Sequence, residues 1–324
     1  MRSDQGTRPP HPLRLGALCW NQYTGWPAFL DAGRRADQLG YDTLWTWDHL
    51  YPIVGASRGP MFEGWMTLAA WAQATARIRI GLMVGANTFR EPALVAKMAT
   101  ALDHISGGRA ILGIGAAWFE EEHTAFGLPF GSGAPERLRW LREALPVLRG
   151  MLRGEAPTAA GIRYHAKAVR NDPSPIQPQL PILIGGGGEK VTLRLVAQYA
   201  DACNIGGGVE VVRRKEAILR EHCRAVGRDH RDIERTTIVG AVVIRDTRAE
   251  AQRVFARLFE ANGRARPWTS QPVGTPDEVV TAIRPYLRIG DIGYRHLIAG
   301  FPAPYDEESM RRFVTDVKPL LVDD

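Results

Sequence analysis

The sequence has few cysteines, few lysines and no long hydrophobic run. Its 324 residues include three cysteines, Cys19, Cys203 and Cys223, which are too few and too widely spaced for a disulfide framework or a zinc site. We therefore expect reduced thiols and a cytoplasmic protein. No apolar run reaches membrane-spanning length, so we expect no contact with a membrane. Residues 1–12, MRSDQGTRPPHP, contain no apolar segment of the secretory kind and predict a disordered tail.

Arginine supplies nearly all of the positive charge. The formal net charge is +6 and the isoelectric point is about 9.4. Such a balance is compatible with nucleic-acid binding, but the arginines are dispersed and form no basic helix or basic–aromatic strip. We therefore expect no nucleic-acid partner. The dispersed cations fit a solvated surface, or the attraction of an anionic ligand such as a phosphate-bearing cofactor.

Short apolar runs alternate with helical patterns along the chain. In residues 77–126 an apolar run enters a small-residue loop, and Pro92 opens a helix that ends at Ser106-Gly107-Gly108 before a second apolar run. A strand–helix–strand unit with short connections belongs to a parallel sheet. Eight strands are predicted in this way, at residues 13–20, 43–47, 78–84, 110–114, 181–184, 201–205, 236–244 and 295–299.

Eight strands alternating with eight or more helices predict a (β/α)8 TIM barrel, formed as one domain by residues 13–324. A doubly wound open sheet is the structural alternative. Two irregular insertions interrupt the alternation, at residues 116–134 after strand four and at residues 262–273 after strand seven. Barrel enzymes place their functional groups at the carboxyl ends of the strands. Residues that directly follow a strand are therefore the candidates for a site.

Asp48 and His49 follow strand two. Imidazole titrates near neutrality, and a neighbouring carboxylate can fix its tautomer and raise its basicity. The pair is a candidate for acid/base catalysis, with His49 as the proton-transferring group. The alternative is that Asp48 caps a helix and His49 is an ordinary loop residue.

A run of four glycines, Gly185 to Gly188, follows strand five and precedes a helix predicted from Glu189 to Tyr199. Backbone N–H groups approach a phosphate closely where no side chain intervenes, and a helix N-terminus favours an anion. The run is neither a P-loop nor a G-x-G-x-x-G motif, so a tight strand-to-helix turn is the alternative. Gly206 to Gly208, after strand six, form either a second such loop or a turn.

Aromatic and acidic residues follow strand four. Trp118 would line a pocket for a flat ring, as would Trp20 and Trp47 at other strand exits, although buried tryptophan is more often plain core. Glu121, Glu122 and His123 are adjacent in sequence and therefore do not converge on one ion, so we predict no metal site.

Four segments carry a resemblance to a known family. They are WDHL at residues 47–50, REPALVAKMATALDHISGGR, LGIGAAWFEEEH and PILIGGGGEKVTLRLVAQYADACN. Together they resemble the luciferase-like monooxygenase superfamily, and within it the branch that uses the deazaflavin coenzyme F420. The resemblance covers nearly all of the chain from residue 13 to about residue 320.

The resemblance implies roles for particular residues. His49 would be the acid/base partner, and Asp48 would lie close to the deazaflavin ring. A bulge, often with a non-prolyl cis peptide, would fall at Met83-Val84 against that ring. Some relatives have a catalytic carboxylate near the position of Trp118, which is aromatic here. The predicted cofactor-binding residues are Asp48, Met83, Val84, Gly85, Ala86, Gly115, Ala116, Ala117, Gly186, Gly187, Gly188 and Lys190, and the predicted substrate pocket is Trp20, Asn21, Trp47, Trp118 and His123.

We therefore expect an F420-dependent oxidoreductase that transfers a hydride between F420 and a small organic substrate. One alternative is an FMN-dependent monooxygenase that uses reduced flavin and O2, in which case a reductase would supply the reduced cofactor. Another is a barrel that binds a flavin or phosphate ligand without turnover. F420 has a longer anionic tail than FMN, and Arg90 and Lys190 are candidate cations for that tail.

We also expect a homodimer. Relatives commonly pair through barrel helices, and the helix predicted at residues 63–75 carries Trp65, Leu68 and Trp71, more apolar bulk than a solvated helix needs. The inward face of a barrel helix would have the same composition.

Overall fold

The computed structural model describes residues 11–266 and 268–322, and its central feature is a closed barrel of eight parallel strands. Each strand pairs with the strands before and after it in the chain, and the last pairs with the first. The (β/α)8 prediction is confirmed, and an open doubly wound sheet is excluded. The strands are β1 (Arg14–Cys19), β2 (Thr43–Thr46), β3 (Arg79–Leu82), β4 (Ala110–Gly115), β5 (Ile182–Gly185), β6 (Ala202–Asn204), β7 (Glu234–Ala241) and β8 (His296–Phe301).

Helices surround the barrel and begin where the sequence has capping signals. Thr275 and Glu278 form a capping box, in which each side chain accepts a hydrogen bond from the other residue's backbone N–H. Gly107 ends the third helix with φ 67°, a conformation that costs glycine little. The helices are α1 (Trp26–Leu39), α2 (Gly64–Ala74), α3 (Pro92–Ser106), α4 (Glu120–Ala125), α5 (Ala134–Leu152), α6 (Thr192–Tyr199), α7 (Val209–Ala225), α8 (Arg248–Ala261), α9 (Pro276–Leu287), α10 (Glu307–Arg312) and α11 (Lys318–Val322).

Two apolar layers form the core. Successive side chains of a strand point to opposite faces, so Leu112 packs outward beneath the helices while Ile111 points into the barrel. Trp45 is fully buried inside the barrel. Because large side chains fill the barrel interior, a ligand has room only at the ends of the strands.

Two predicted details need correction. The insertion after strand four contains the short helix α4, and the helix predicted from Glu189 begins at Thr192. Glu189 is held by α7 instead, since its carbonyl oxygen accepts a hydrogen bond from His222 at 2.8 Å and its carboxylate pairs with Arg214. A small hairpin lies around residue 161, with antiparallel pairs between residues 159–160 and 165–166.

The predicted disordered tail lies mostly outside the described residues. Of residues 1–12, His11 and Pro12 are described, and the His11 ring contacts the carbonyl oxygen of Arg231 at 3.1 Å. Within the described ranges, no helix combines the length and the apolar character needed to cross a bilayer.

The helix that suggested a homodimer uses its apolar side chains within the chain. Trp65, Leu68 and Trp71 of α2 are all buried in the layer between helices and barrel. Met66 on α2 and Leu94 on α3 are exposed instead. Homodimer formation therefore stays a prediction, for which sedimentation velocity at micromolar concentration is the direct measurement.

Candidate active site

A cavity of about 380 Å³ opens at the carboxyl ends of the strands. One wall consists of short residues at the ends of β3, β4 and β5, namely residues 83–86, 115–117 and 185–186. The rest of the lining includes larger side chains: Trp47, Asp48, His49, Ile53, Trp118 and Glu122. Most of the predicted cofactor-binding residues therefore line one cavity together with the predicted acid/base pair.

The short-residue wall is shaped by a bulge after β3. Gly81 pairs with Ile111 and Gly85 pairs with Ile114, so the β3 side has one residue more than β4 over this stretch. The peptide bond Met83-Val84 is cis, at the position that the resemblance indicated. The bulge directs consecutive side chains toward the barrel interior, where Met83 is buried and Val84 packs against it.

Glycines on the neighbouring strands make room for the bulge. A Cβ atom on Gly113 would collide with the carbonyl oxygen of Leu82. A Cβ on Gly185 would lie 2.8 Å from Val84 Cγ1, and one on Gly115 would lie 2.8 Å from Val84 Cγ2. Both distances are shorter than a van der Waals contact. The Val84 side chain thus takes the space beside Gly115 and Gly185, and the surface left here consists of short residues on which a flat ring can lie closely.

Asp48 is held at the end of β2 by three hydrogen bonds. Its Oδ2 accepts from the backbone N–H of Ala86 at 2.9 Å, and Arg90 donates to Oδ1 at 3.1 Å and to Oδ2 at 2.8 Å. Arg90 also pairs with Glu63 at 2.7 Å. Arg90 is thus committed to two carboxylates, which removes it as a candidate for the cofactor tail.

Burial raises the pKa of Asp48 to about 6, and Arg90 and the Ala86 N–H oppose this rise without cancelling it. Between pH 4 and 6 the folded protein therefore holds a proton that the unfolded chain has released. The unfolding free energy should fall by about 2 kcal/mol as the pH rises from 4 to 7, relative to the Asp48→Asn variant. Urea unfolding of both proteins at four pH values measures this, and parallel curves would contradict it.

His49 contacts a carboxylate that the sequence prediction missed. Its Nδ1 lies 2.9 Å from Oε1 of Glu122, whose other oxygen accepts from the backbone N–H of Leu50 at 2.8 Å. Since a carboxylate accepts, Nδ1 must carry the hydrogen, which leaves Nε2 as the ring nitrogen available to a ligand. Glu122 is 1% exposed, and the His49 ring centroid lies 5.3 Å from that of Trp118. Glu122 therefore orients His49.

His123 was predicted for the substrate pocket but does not line the cavity. Its ring is fully buried between the Thr88 hydroxyl, 2.7 Å from Nε2, and the carbonyl oxygen of Phe119, 2.6 Å from Nδ1. Burial lowers its pKa. Both ring nitrogens are occupied, so His123 holds α4 and the loop after β3 together.

Trp20 and Asn21 lie behind the cavity wall. The Trp20 ring packs on Trp47 with centroids 5.0 Å apart, and Asn21 donates to the Trp47 carbonyl oxygen at 3.2 Å. Both residues are buried. They support Trp47, which itself lines the cavity as predicted.

The glycines of the run at residues 185–188 have two different surroundings, the cavity and a cationic side chain. Gly186 lines the cavity, whereas Gly187 and Gly188 do not. A Cβ on Gly187 would collide with the amine of Lys215 on α7. Among the described residues no hydrogen bond or ion pair is found for that amine. Lys215 is a second residue that the sequence prediction missed, because it lies on a helix distant in sequence.

Lys190 does not line the cavity, contrary to its prediction as a cofactor-binding residue. It borders a surface depression together with Arg142 and Arg194, beyond the glycine run. No cluster of three or more potential metal ligands occurs in the part of the chain that the structure describes.

The sequence and fold were compared with known proteins. The profile of the family described as luciferase-like monooxygenase matches residues 15–275. An F420-dependent glucose-6-phosphate dehydrogenase of Amycolatopsis mediterranei is 28% identical over 342 residues, covering 95% of this chain and 98% of the relative. An F420-dependent secondary alcohol dehydrogenase in complex with an F420–acetone adduct superposes with a TM-score of 0.80 at 20% identity, over 96% and 99% of the two chains.

A monooxygenase from Streptomyces bottropensis superposes almost as well, with a TM-score of 0.76 at 22% identity over 95% of this chain and 99% of that one. At these identities the structural likeness establishes the fold alone. The family profile, in contrast, spans most of the barrel, including the strands that form the cavity. The chain therefore belongs to the luciferase-like monooxygenase family.

Proposed function

We propose that this protein is an F420-dependent oxidoreductase that transfers a hydride between F420 and a small organic substrate, with His49 as the acid/base group. The observation that carries the proposal is the arrangement of the cavity. Short residues at three strand ends line the same cavity as a histidine whose Nδ1 is fixed by a buried carboxylate. The full-length relative that uses F420 supports the choice of cofactor.

The residues present fit this cofactor. The wall around Met83-Val84, shaped by glycines that leave no side chain in the way, would hold the flat ring. Beyond Gly186, the amine of Lys215, which has no partner among the described residues, would meet the phosphate, and Thr192 lies at the same end of the cavity. When bound, F420 supplies or accepts the hydride.

The protein's own residues would handle the proton. In alcohol oxidation, His49 Nε2 takes the hydroxyl proton of the substrate, and the buried Glu122 carboxylate stabilises the resulting imidazolium. In the reverse direction the same nitrogen returns the proton. Trp47 and Trp118 cover the apolar side of the cavity and limit the access of water.

The cofactor assignment is tested by binding. Binding of each cofactor is followed by the quenching of its fluorescence. We expect a higher affinity for F420 than for FMN, because the longer anionic tail of F420 can reach the depression formed by Arg142, Lys190 and Arg194. F420 affinity should fall as salt is raised. Lys215→Met should weaken F420 binding roughly 10- to 100-fold, the loss expected for one charge-assisted hydrogen bond.

Two further variants sharpen this measurement. Lys190→Met should weaken F420 more than FMN, since FMN lacks the tail. Lys167→Met, an exposed lysine on the hairpin loop, is the matched control and should change neither affinity. Tight FMN binding without measurable F420 affinity at low salt would overturn the assignment in favour of an FMN-dependent monooxygenase.

A further inference from the structure

The substrate side of the cavity is mainly apolar, and among the described residues it has no lysine or arginine. Trp47, Ile53, Trp118 and Ile238 provide its carbon surface. The ionisable groups that line it are Asp48, His49 and Glu122, and no lysine or arginine lines it among the described residues. Any formal charge on this side is therefore negative, apart from a proton on His49.

Two arginines bond to residues of the cavity lining and are already engaged there. Arg90 pairs with Asp48 and Glu63. Arg137 lies over the Phe130 ring at 3.8 Å and donates to the carbonyl oxygen of Ala117 at 3.3 Å. Freeing either guanidinium for a ligand would leave a buried acid or a buried carbonyl group without its partner. Neither is available as a counterion for a substrate.

At the other end of the cavity lies an amine for which the described residues provide no hydrogen bond or ion pair. The Lys215 amine lies at Gly187, where the cofactor phosphate is proposed to bind, and is therefore separated from Trp47 and Trp118 by the cofactor site. A substrate phosphate placed beside His49 would be desolvated next to Glu122 without a positive partner. Such burial is strongly unfavourable.

From this distribution of charge we infer that the substrate is an uncharged, largely apolar alcohol or the matching carbonyl compound, and not a sugar phosphate. The inference rests on the proposed function and specifies its substrate. In oxidation the carbinol C–H bond breaks, its hydride passes to F420, and the hydroxyl proton passes to His49 Nε2 as the C=O bond forms. Trp47, backed by Trp20 at 5.0 Å, presents a rigid face to the apolar part of the substrate.

The test uses the complex with F420 and four probes. Cyclohexanol and benzyl alcohol are neutral and apolar, glucose is neutral and polar, and glucose 6-phosphate adds the charge. Calorimetric titration of the F420 complex should show that cyclohexanol and benzyl alcohol bind. Glucose 6-phosphate should not bind at millimolar concentration. Turnover rates, measured from the absorbance of F420, should rank the probes in the same order as their affinities.

A gain-of-function variant provides an independent readout. Ile53→Arg places a cation in the apolar wall and should raise affinity for glucose 6-phosphate and inorganic phosphate at least roughly tenfold while weakening cyclohexanol binding. Ile162→Arg, at a position on the hairpin that is 86% exposed, is the matched control. It should leave the affinities for all of these probes unchanged.

The outcomes separate the two proposals. Binding and turnover of glucose 6-phosphate by the wild-type F420 complex would overturn the inference while leaving the F420-dependent function intact. Failure of both neutral alcohols and of their ketone and aldehyde would also overturn it. A protein that binds no F420 at all would overturn both.

Discussion

Replacing His49 by glutamine should lower kcat about 100- to 10,000-fold, the range typical of removing a general acid or base. Glutamine can still contact Glu122 from the same position but cannot take up a proton near neutral pH. F420 affinity should be unchanged, because the ring nitrogens of His49 face Glu122 and the substrate side of the cavity. Steady-state turnover, together with F420 binding by fluorescence quenching, measures both quantities.

Glu122 gives a second measurement of the same pair. Glu122→Gln keeps the shape but removes the charge that stabilises the imidazolium, and should lower kcat roughly 10- to 100-fold with little change in KM. Glu122→Asp should restore part of the loss, which a purely structural role would not. His104→Gln, an exposed histidine bonded to the Ser174 carbonyl oxygen, is the control. Full activity in His49→Gln would refute the assignment of acid/base catalysis to this residue.

Glu216→Gln should lower the unfolding free energy by about 3–5 kcal/mol, because it leaves a buried cation without its counter-charge. Glu216 on α7 accepts two hydrogen bonds from Arg235 on β7, at 2.8 and 3.0 Å. Both side chains are 2% exposed. Urea unfolding monitored by circular dichroism gives the change directly.

Two comparisons separate the buried charge from other effects. Asp31 and Arg35 form a partly exposed ion pair on α1. Asp31→Asn breaks this pair and should lower the unfolding free energy by less than about 1 kcal/mol. The double variant Glu216→Leu/Arg235→Met should regain much of the stability, since an apolar pair of similar volume has no charge to desolvate. A loss in Glu216→Gln no larger than that in Asp31→Asn would contradict the prediction.

The sequence allowed the barrel to be predicted because strand and helix signals are local. All eight observed strands overlap the predicted ranges, and residues that directly follow a strand lie at its carboxyl end whatever the rest of the chain does. For that reason Asp48 and His49 were placed at the cavity correctly. The same reasoning placed residues 85–86 and 115–117 at this edge of the barrel, whereas the family resemblance indicated Met83 and Val84.

The partners of these residues could not be predicted, because they depend on packing. Of three consecutive glutamates after β4, Glu120 is exposed and Glu121 bonds the Ser57 hydroxyl at the surface, while Glu122 turns inward. The residue at which α4 begins decides which glutamate is buried. The insertion has no periodic pattern of apolar residues from which this start could be predicted. Lys215 reaches the glycine run through the packing of α7 on the barrel, which local sequence does not reveal.

The contrast between two parts of the cavity lining has a consequence for directed evolution. At Gly113 and Gly185, next to the bulge, almost any new side chain would collide with residues of the bulge. Variants at these two positions should therefore fail to fold and should not be recovered. Elsewhere around the cavity, Trp118 is 60% exposed, and Ile53 and Ile238 are only partly buried against the barrel core. A library randomised at these three positions should therefore yield altered substrate ranges among proteins that all retain the same cofactor.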